Sequence, residues 1–105
     1  MSLSNFTLTT SPSSLFTSTN GNTHAVIVIY LCNTHPTDTI FFSLYAVPSG
    51  SQADGTTIIY KNVNLTPGDT YVLDTERLIL DSGDGIWGEA SVALSIVATV
   101  NTILV

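Results

Sequence analysis

Short runs of alternating apolar and polar residues, separated by clusters of turn-forming residues, extend over the whole chain. Successive side chains of a β-strand point to opposite faces, so a period of two indicates a strand with one buried face. No stretch has the period of a helix, and many short strands joined by turns are typical of a sandwich or barrel. The sequence therefore predicts an all-β fold, a small antiparallel β-sandwich of Ig-like or jelly-roll type.

The predicted strands number about eight or nine. The predicted strands are Leu3–Thr10, Leu15–Ser18, Thr23–Asn33, Thr39–Pro48, Thr57–Leu65, Thr70–Thr75, Arg77–Leu80, Ile86–Glu89 and Ala90–Val105. A chain of 105 residues has room for one hydrophobic core. Residues 1–105 are accordingly predicted to be a single domain.

The segment Thr23–Asn33 is the most hydrophobic, and both of its faces are apolar. One face carries Ile27, Ile29 and Leu31, and the other carries Val26, Val28 and Tyr30. In a two-layer sandwich one side of each sheet normally meets water, so the second apolar face needs a cover. That cover is either a neighbouring subunit or the amino-terminal arm, and the sequence leaves both open.

The period of two that is typical of strands also predicts the faces of two further segments. In Thr39–Pro48 the predicted core residues are Ile40, Phe42, Leu44 and Ala46, and the other face, Phe41, Ser43, Tyr45 and Val47, is predicted to be partly solvated or in an interface. In Ala90–Val105 the predicted inner face is Val92, Leu94, Ile96, Ala98 and Val100. The large aromatic residues on faces not assigned to the core, Tyr30, Phe41 and Tyr45, are the candidate residues of an oligomer or partner interface.

The charge of the chain excludes several classes of partner. The formal net charge is -6 at pH 7, and Lys61 and Arg77 are the only Lys or Arg residues. Phosphate backbones are captured by arrays of Lys and Arg, so nucleic acid is not an expected partner. An anionic membrane surface is equally unexpected. The longest apolar run, Ala25–Cys32, falls far short of the roughly 20 residues of a spanning helix.

Composition, the amino terminus and the single cysteine give three further expectations. The 16 threonines and 12 serines, with 10% charged residues, favour a sheet whose surface is built from hydroxyl groups. The amino terminus lacks the charged and apolar regions of a secretory signal, so we expect no export by that route. The lone cysteine, Cys32, lies in an apolar strand and is predicted to be a buried thiol.

Three motifs resemble binding sites but have simpler explanations. Gly83–Gly88 has the glycine spacing of a dinucleotide fingerprint, yet no helix follows to receive a phosphate. Cys32, His35 and Asp38, with His24, have metal-ligand chemistry, but their spacing is not that of a zinc site. Asp81 and Asp84 resemble a fragment of a calcium loop without its other acidic ligands. No metal and no cofactor are predicted.

Catalytic residues are equally hard to find. His24 and His35 are the only histidines, and neither stands beside a triad partner in sequence, although triads do assemble from distant positions. The chain is therefore predicted not to be an enzyme. A small hydrolase that uses one of these histidines is the third hypothesis, behind two non-enzymatic ones. Trp87, the sole tryptophan, fills the core or an interface, or stacks on a sugar.

Four segments resemble a group of short virion proteins from tailed bacteriophages, including phages of cyanobacteria and other aquatic bacteria. The segments are Tyr45–Gly50, Leu65–Tyr71, Asp74–Leu80 and Gly83–Ile86. The resemblance spans roughly half the chain and is one of pattern rather than of catalytic signature. It implies a small β-sandwich that decorates the capsid or belongs to the tail, and it implies no enzyme activity.

The resemblance and the unassigned apolar faces lead to one functional hypothesis and an alternative. The hypothesis is a capsid decoration, or cement, protein that forms a homotrimer or homodimer and clamps major capsid subunits. The alternative is a tail or fibre component that binds the host surface, with Trp87 stacking on a glycan. Either protein would be made in the host cytoplasm and located in the virion, with the capsid surface preferred over the tail.

Overall fold

The computed structural model describes residues 2–74 and 78–105, and these residues form nine β-strands and no helix. The all-β prediction is confirmed. The predicted strand ends at Thr75 and Arg77 lie outside the described residues. The strands are β1 (Ser2–Thr7), β2 (Ser13–Thr17), β3 (His24–Asn33), β4 (Ile40–Val47), β5 (Ile58–Leu65), β6 (Thr70–Leu73), β7 (Leu78–Leu80), β8 (Gly85–Ala90) and β9 (Ile96–Leu104).

The strands form two antiparallel sheets that pack face to face. Sheet A has the order β1-β9-β3-β6, and β7 also pairs with β3. Strands β6 and β7 share one edge of β3, since β6 pairs with residues Ile29 to Cys32 and β7 with His24 to Val26. Sheet B has the order β2-β8-β4-β5. The architecture is that of a small β-sandwich.

The hydrophobic core lies between the inner faces of the two sheets. Its largest fully buried apolar members are Leu8, Leu15, Ile29, Leu31, Ile40, Phe42, Leu44, Ile86, Ile96 and Val100. Burial of apolar surface stabilises a fold by about 25 cal/mol per Å², so this layer supplies the main driving force for folding. The inner assignments made for Ile40, Phe42 and Leu44 are confirmed.

A β-bulge in β3 makes the predicted division of its faces wrong. The pairing with β9 shifts register between Val26 and Val28, so Ile27 is an extra residue. An extra residue reverses the alternation on either side of it. Val26 therefore joins Ile29 and Leu31 in the core, and Ile27 does not.

The predicted strand from Ala90 to Val105 is broken by a turn. Strand β8 ends at Ala90 and β9 begins at Ile96. Leu94 has a φ of 63° and is 70% exposed, and Val92 is 42% exposed, so the prediction that both line the inner face is wrong. The inner face of β9 is formed by Ile96, Ala98 and Val100, as predicted.

The predicted first strand is also shorter in the structure. Strand β1 ends at Thr7, and Leu8 beyond it is buried in the core while its backbone N–H donates to Ile96 O at 2.9 Å. Phe6, two residues before Leu8, is 41% exposed in β1 at the edge of sheet A. The chain leaves sheet A at this point and enters sheet B with β2.

A tight turn at Asn20 and Gly21 joins the two sheets. Asn20 has a φ of 59° and Gly21 a φ of 71°, the pair of positive angles that a type I′ turn requires. The turn connects β2 of sheet B to β3 of sheet A rather than two strands of one hairpin. It therefore closes one end of the sandwich.

A fully buried asparagine closes the other end. The Asn33 side chain is 0% exposed, and its Nδ2 donates to Leu65 O at 2.8 Å and to Asp38 O at 3.0 Å. Its Oδ1 accepts from His35 N at 2.9 Å. One side chain thus connects the end of β3 in sheet A to the end of β5 in sheet B.

Candidate interaction surfaces

The outer face of sheet A is an uncovered and largely apolar surface. The strand pairings place Leu3, Val28, Tyr30, Val72, Ile79, Val97 and Ile103 on this face. Tyr30 is 42% exposed, and Leu3, Val72, Ile79 and Ile103 are also exposed. Val28, at the centre, is buried by its neighbours within the sheet. The face therefore has the composition of an interface core.

The same face carries no formal charge. None of the described strands of sheet A contains Asp, Glu, Lys or Arg, although the whole chain has 8 acidic residues. Asp74 follows the last residue of β6, at the margin of the face. In sheet B, by contrast, strands contain Lys61 and Glu89. Apart from Glu89, the described acidic residues lie in the turns between strands, and Asp69, Asp74 and Asp81 stand at the ends of β6 and β7.

Asn101 is one of two polar residues of β9 near the centre of this face, and the other, Thr99, donates a hydrogen bond to Asn5 Oδ1. Asn101 pairs with Leu3 on β1 and with Val28 on β3. Its Oδ1 is buried and accepts no hydrogen bond within the described chain. Such an acceptor costs about 1–3 kcal/mol, so the position favours an arrangement in which the amide finds a partner.

Cys32 lies on the outer face of sheet A and not in the core. It pairs with Val97 and with Thr70, which both face outward. Its thiol is free, and the residue is half-buried. The prediction of a buried thiol is therefore wrong, because Cys32 shares the outer side of β3 with Val28 and Tyr30, and the other sheet does not cover that side.

The outer face of sheet B has a different character. Phe41 is 43% exposed, but Ser43, Tyr45 and Val47 are 4%, 5% and 6% exposed on the same side of β4. The loop after β4 returns over this end of the sheet, where Ser51, Gln52 and Ala53 line a cleft with Trp87. A loop of the chain itself therefore provides the cover that this face of β4 needs.

The three candidate interface residues consequently do not form one patch. Tyr30 lies on the outer face of sheet A, whereas Phe41 and Tyr45 lie on the outer face of sheet B. Tyr45, with only 5% exposure, has almost no surface to offer a partner. Its assignment to an exposed face is wrong, because the period of the strand cannot reveal the loop above it.

Tyr45 is held by a hydrogen bond from its hydroxyl group to the Glu89 carboxylate. This bond raises the pKa of Tyr45 to about 12, with smaller contributions from burial and from the negative charges of Glu89 and Asp54. Ionisation of the phenol would place two anions side by side. The pair therefore fixes β4 to β8 as long as the phenol is protonated.

Replacing Tyr45 by phenylalanine should remove a pH-dependent part of the stability. In the unfolded chain a tyrosine ionises near pH 10, whereas in the folded chain Tyr45 stays protonated to about pH 12. The bond's contribution is therefore complete below pH 10 and is lost as the pH rises through 12. In urea unfolding, Tyr45→Phe should cost about 1.5–3 kcal/mol at pH 7, and this difference should shrink between pH 10 and 12. A difference that stays constant over this range would contradict the assignment.

His24 and Ser18 form a close pair, but its geometry is structural. Ser18 Oγ lies 2.7 Å from His24 Nδ1 and also donates to Asn22 O at 2.9 Å. Ser18 is 0% exposed, so no substrate reaches this hydroxyl group. The Phe16 ring packs edge-on against His24 with centroids 5.0 Å apart. The pair stabilises the turn between β2 and β3.

His35 and Asp38 likewise organise a turn. His35 Nδ1 accepts from the backbone N–H groups of Thr37 and Asp38, at 3.2 and 3.0 Å. His35 Nε2 lies 3.7 Å from Asp38 Oδ2. Within residues 2–74 and 78–105, no three His, Cys, Asp or Glu residues are grouped in a way that could hold a metal ion. The hypothetical set of Cys32, His35 and Asp38 is not brought together.

Asp84 has a structural role in the turn that carries the glycine motif. Its Oδ1 accepts from Ser49 N at 2.8 Å, and its Oδ2 accepts from Asp81 N at 3.1 Å. Both carboxylate oxygens are therefore used inside the chain. Strand β8 begins at Gly85, inside this motif, and the described residues beyond it form no helix.

Sequence reasoning identified Tyr30 but missed the residues that surround it. Leu3, Val72, Ile79 and Ile103 come from four other strands, and only the pairing registers bring them onto one face. Each belongs to a short apolar run, which is a signal for a strand but not for the sheet that the strand joins. Lack of charge does not identify the set either, because β2 and β4 of sheet B also contain no Asp, Glu, Lys or Arg.

Comparison with known proteins identified no relative. No protein-family model matches the chain, and neither a curated protein nor a solved structure proved similar to it. The described residues also include no helix long and apolar enough to cross a membrane. Function must be inferred from the surfaces themselves.

Proposed function

We propose that this chain is a structural protein of a bacteriophage virion, a capsid decoration protein that binds copies of itself and clamps major capsid subunits. The observation that supports this most directly is the pair of uncovered hydrophobic positions on opposite sides of one sandwich, around Tyr30 and at Phe41. A protein that binds both a copy of itself and a shell needs two such surfaces. Sheets A and B each offer one.

The segments that resemble phage virion proteins support the proposal in a second way. Three of them contain a glycine with a positive φ, namely Gly50 at 83°, Gly68 at 82° and Gly83 at 93°. Two of the segments meet, because Ser49 N donates to Asp84 Oδ1. The resemblance therefore includes turns at both ends of the sandwich, and not only its strand pattern.

The chemistry of the surface is also that of a binding protein. Ser18, the serine that contacts a histidine, is inaccessible, and the carboxylates of Glu89 and Asp84 are occupied by Tyr45 and by backbone N–H groups. An enzyme needs accessible acid, base or nucleophile groups in one cleft. The described side chains are used instead to hold turns and sheets together.

Shell binding tests the proposal. The purified chain is mixed with empty shells of the major capsid protein from the genome that encodes it, and co-sedimentation is measured. We expect saturation at a fixed ratio of chain to capsid subunit. Phe41→Lys, which places a charge at the exposed position of sheet B, should weaken binding at least tenfold, since exposed aromatic residues are frequent anchors of interfaces. Failure of the unmodified chain to sediment with shells would overturn the capsid assignment.

A tail component that binds host glycans is the second candidate, and one cleft favours it. Trp87 is half-buried beside Pro12, Ser51, Gln52 and Ala53 around a volume of about 340 Å³. An aromatic ring next to hydroxyl and amide groups is suited to a sugar, whose faces are apolar and whose edges are polar. A chain that ignores shells but adsorbs to host cells, and loses adsorption in Trp87→Ala, would establish this function instead.

A further inference from the structure

We infer that two copies of this chain associate through the outer face of sheet A, stacked face to face about a twofold axis. The inference deepens the proposed function, because it names the surface by which the copies meet and leaves sheet B for the shell. It also identifies a second copy of the chain as the cover of the second apolar face of β3. The amino-terminal strand β1 does not lie over that face, since it pairs at the edge of sheet A beside β9.

The charge distribution favours a second copy as the occupant. Each copy carries a net charge of -6, so contact through an acidic surface would bring like charges together. The strands of sheet A contain no Asp, Glu, Lys or Arg. Two identical acidic chains can therefore meet through the centre of this face, with the carboxylates of the flanking turns, such as Asp74 after β6, only at its margin. A strongly basic partner would instead be drawn to the acidic turns.

The area of the face is sufficient for a stable dimer. Four adjacent strands about 4.8 Å apart, with a rise of about 3.4 Å per residue, give a face of roughly 20 by 30 Å, or about 600 Å² on each copy. Two such faces bury about 1,200 Å², which is the lower limit of a standard specific interface. A twofold arrangement uses the same patch on both copies, so a single surface is enough.

The centre of the face supplies a residue that can fix the arrangement. Asn101 lies between Leu3 and Val28, and its Oδ1 accepts no hydrogen bond within the described chain. Rotation of its amide toward a partner would let it pair with the same amide of the second copy. Thr99 and Asn5 on the same face already bond to each other, so the Asn101 amide is the group left to specify register, as a buried asparagine does in coiled coils.

A matched pair of substitutions tests the inference. Tyr30 is 42% exposed on sheet A, and Phe41 is 43% exposed on sheet B. Tyr30→Lys and Phe41→Lys therefore place the same charge at equally exposed aromatic positions on opposite faces. Sedimentation velocity over a range of concentrations should give a dimer for the unmodified chain and for Phe41→Lys. Tyr30→Lys should raise the dimer dissociation constant at least tenfold, with circular dichroism confirming that both variants fold.

The lone thiol provides a readout that needs no substitution. Cys32 is a half-buried free cysteine on the outer face of sheet A. Its reaction with a soluble disulfide reagent should slow as the protein concentration rises through the dimer dissociation constant. A rate that does not depend on concentration in a chain shown to dimerise would place the interface elsewhere.

The possible outcomes separate this inference from the proposed function. A trimer, or a dimer that Phe41→Lys dissociates while Tyr30→Lys does not, would overturn the twofold contact of sheet A and leave self-association intact. A strict monomer that still saturates shells would overturn the contact between copies but keep the capsid assignment. A dimer disrupted by Tyr30→Lys that never binds shells would support the interface and refute the capsid role.

Discussion

Replacing Asn33 by alanine should lower the free energy of unfolding by about 3–4 kcal/mol, one of the largest effects available at a polar residue here. The substitution removes the donors to Leu65 O and Asp38 O and the acceptor for His35 N. Leu65 O is in a buried bond, so water cannot easily replace the lost amide. The two sheets would also lose a direct connection at this end of the sandwich. Urea unfolding at pH 7 measures the effect.

Two variants identify the cause of that loss. Asn33→Asp keeps the volume and the acceptor for His35 N, but it donates no hydrogen bond and points a carboxylate at two carbonyl oxygens. It should destabilise the fold at least as much as Asn33→Ala. Asn64→Ala, at an exposed position of β5, should change stability by no more than about 0.5 kcal/mol. An Asn33→Asp variant close to the unmodified chain in stability would contradict the role given to the amide donors.

The strand pattern predicted the fold class because alternation is a local property. Leu44 and Ile29 are buried as their runs require, and both sheets are antiparallel. The position of a bulge, in contrast, does not follow from the local alternation of residues. Ile27 is one β-branched residue in a run of similar residues, and nothing in its type indicates that it is the one left unpaired opposite β9. The assignments of Val26 and Ile27 were therefore exchanged, while Ile29 and Leu31 lie in the core as the alternation predicted.

The break before β9 was missed for a related reason. Sequence reasoning expects glycine, asparagine or proline where a strand ends, because these residues tolerate or impose unusual backbone angles. Leu94 adopts a φ of 63° without such a side chain, and its N–H donates to Leu8 O at 2.9 Å. Tertiary hydrogen bonding decides the conformation here, and an apolar run of Ala, Val and Leu concealed it.

The candidate surfaces, like the strands, were predicted only in part. A two-sided apolar β3 correctly indicated that one sheet has an uncovered apolar face, and Tyr30 lies on it. Tyr45 was placed on an exposed face because its neighbours in the strand alternate with the core. The loop containing Ser51 and Ala53, which lies over that part of sheet B, begins after the strand ends. The sequence of β4 does not indicate that a loop outside the strand covers Tyr45. It also does not indicate that Tyr30 and Phe41 belong to different sheets.

The arrangement of charge unites these observations. A sandwich has two outer faces, and this chain makes them unlike: one without any formal charge, the other containing Lys61 and the Tyr45–Glu89 pair. A protein selected only for solubility would distribute charge over both faces. The asymmetry is therefore the physical argument for two different partners, and it does not depend on the resemblance to virion proteins.

Replacing Gly83 by alanine should cost about 3 kcal/mol of stability from two separable causes. Gly83 has a φ of 93°, where an L-residue is strained by about 1–2 kcal/mol. An added Cβ would also lie 2.4 Å from Ser49 Oγ and 2.8 Å from Ser49 Cβ. Such overpacking typically costs about 1–3 kcal/mol. Urea unfolding of Gly83→Ala measures the sum of the two costs. We also expect the substitution to separate the turn before β8 from the end of β4.

Two controls divide the cost between conformation and contact. Gly68 has a φ of 82° with no atom within 4 Å of an added Cβ, so Gly68→Ala should cost only the conformational part, about 1 kcal/mol. In a Ser49→Gly background the clashing atoms are gone, and the closest remaining atom, the Cα of residue 49, lies 3.6 Å away at ordinary contact distance. Gly83→Ala should then cost no more than Gly68→Ala. An undiminished loss in the Ser49→Gly background would show that the turn conformation, and not the contact with Ser49, determines why glycine occupies this position.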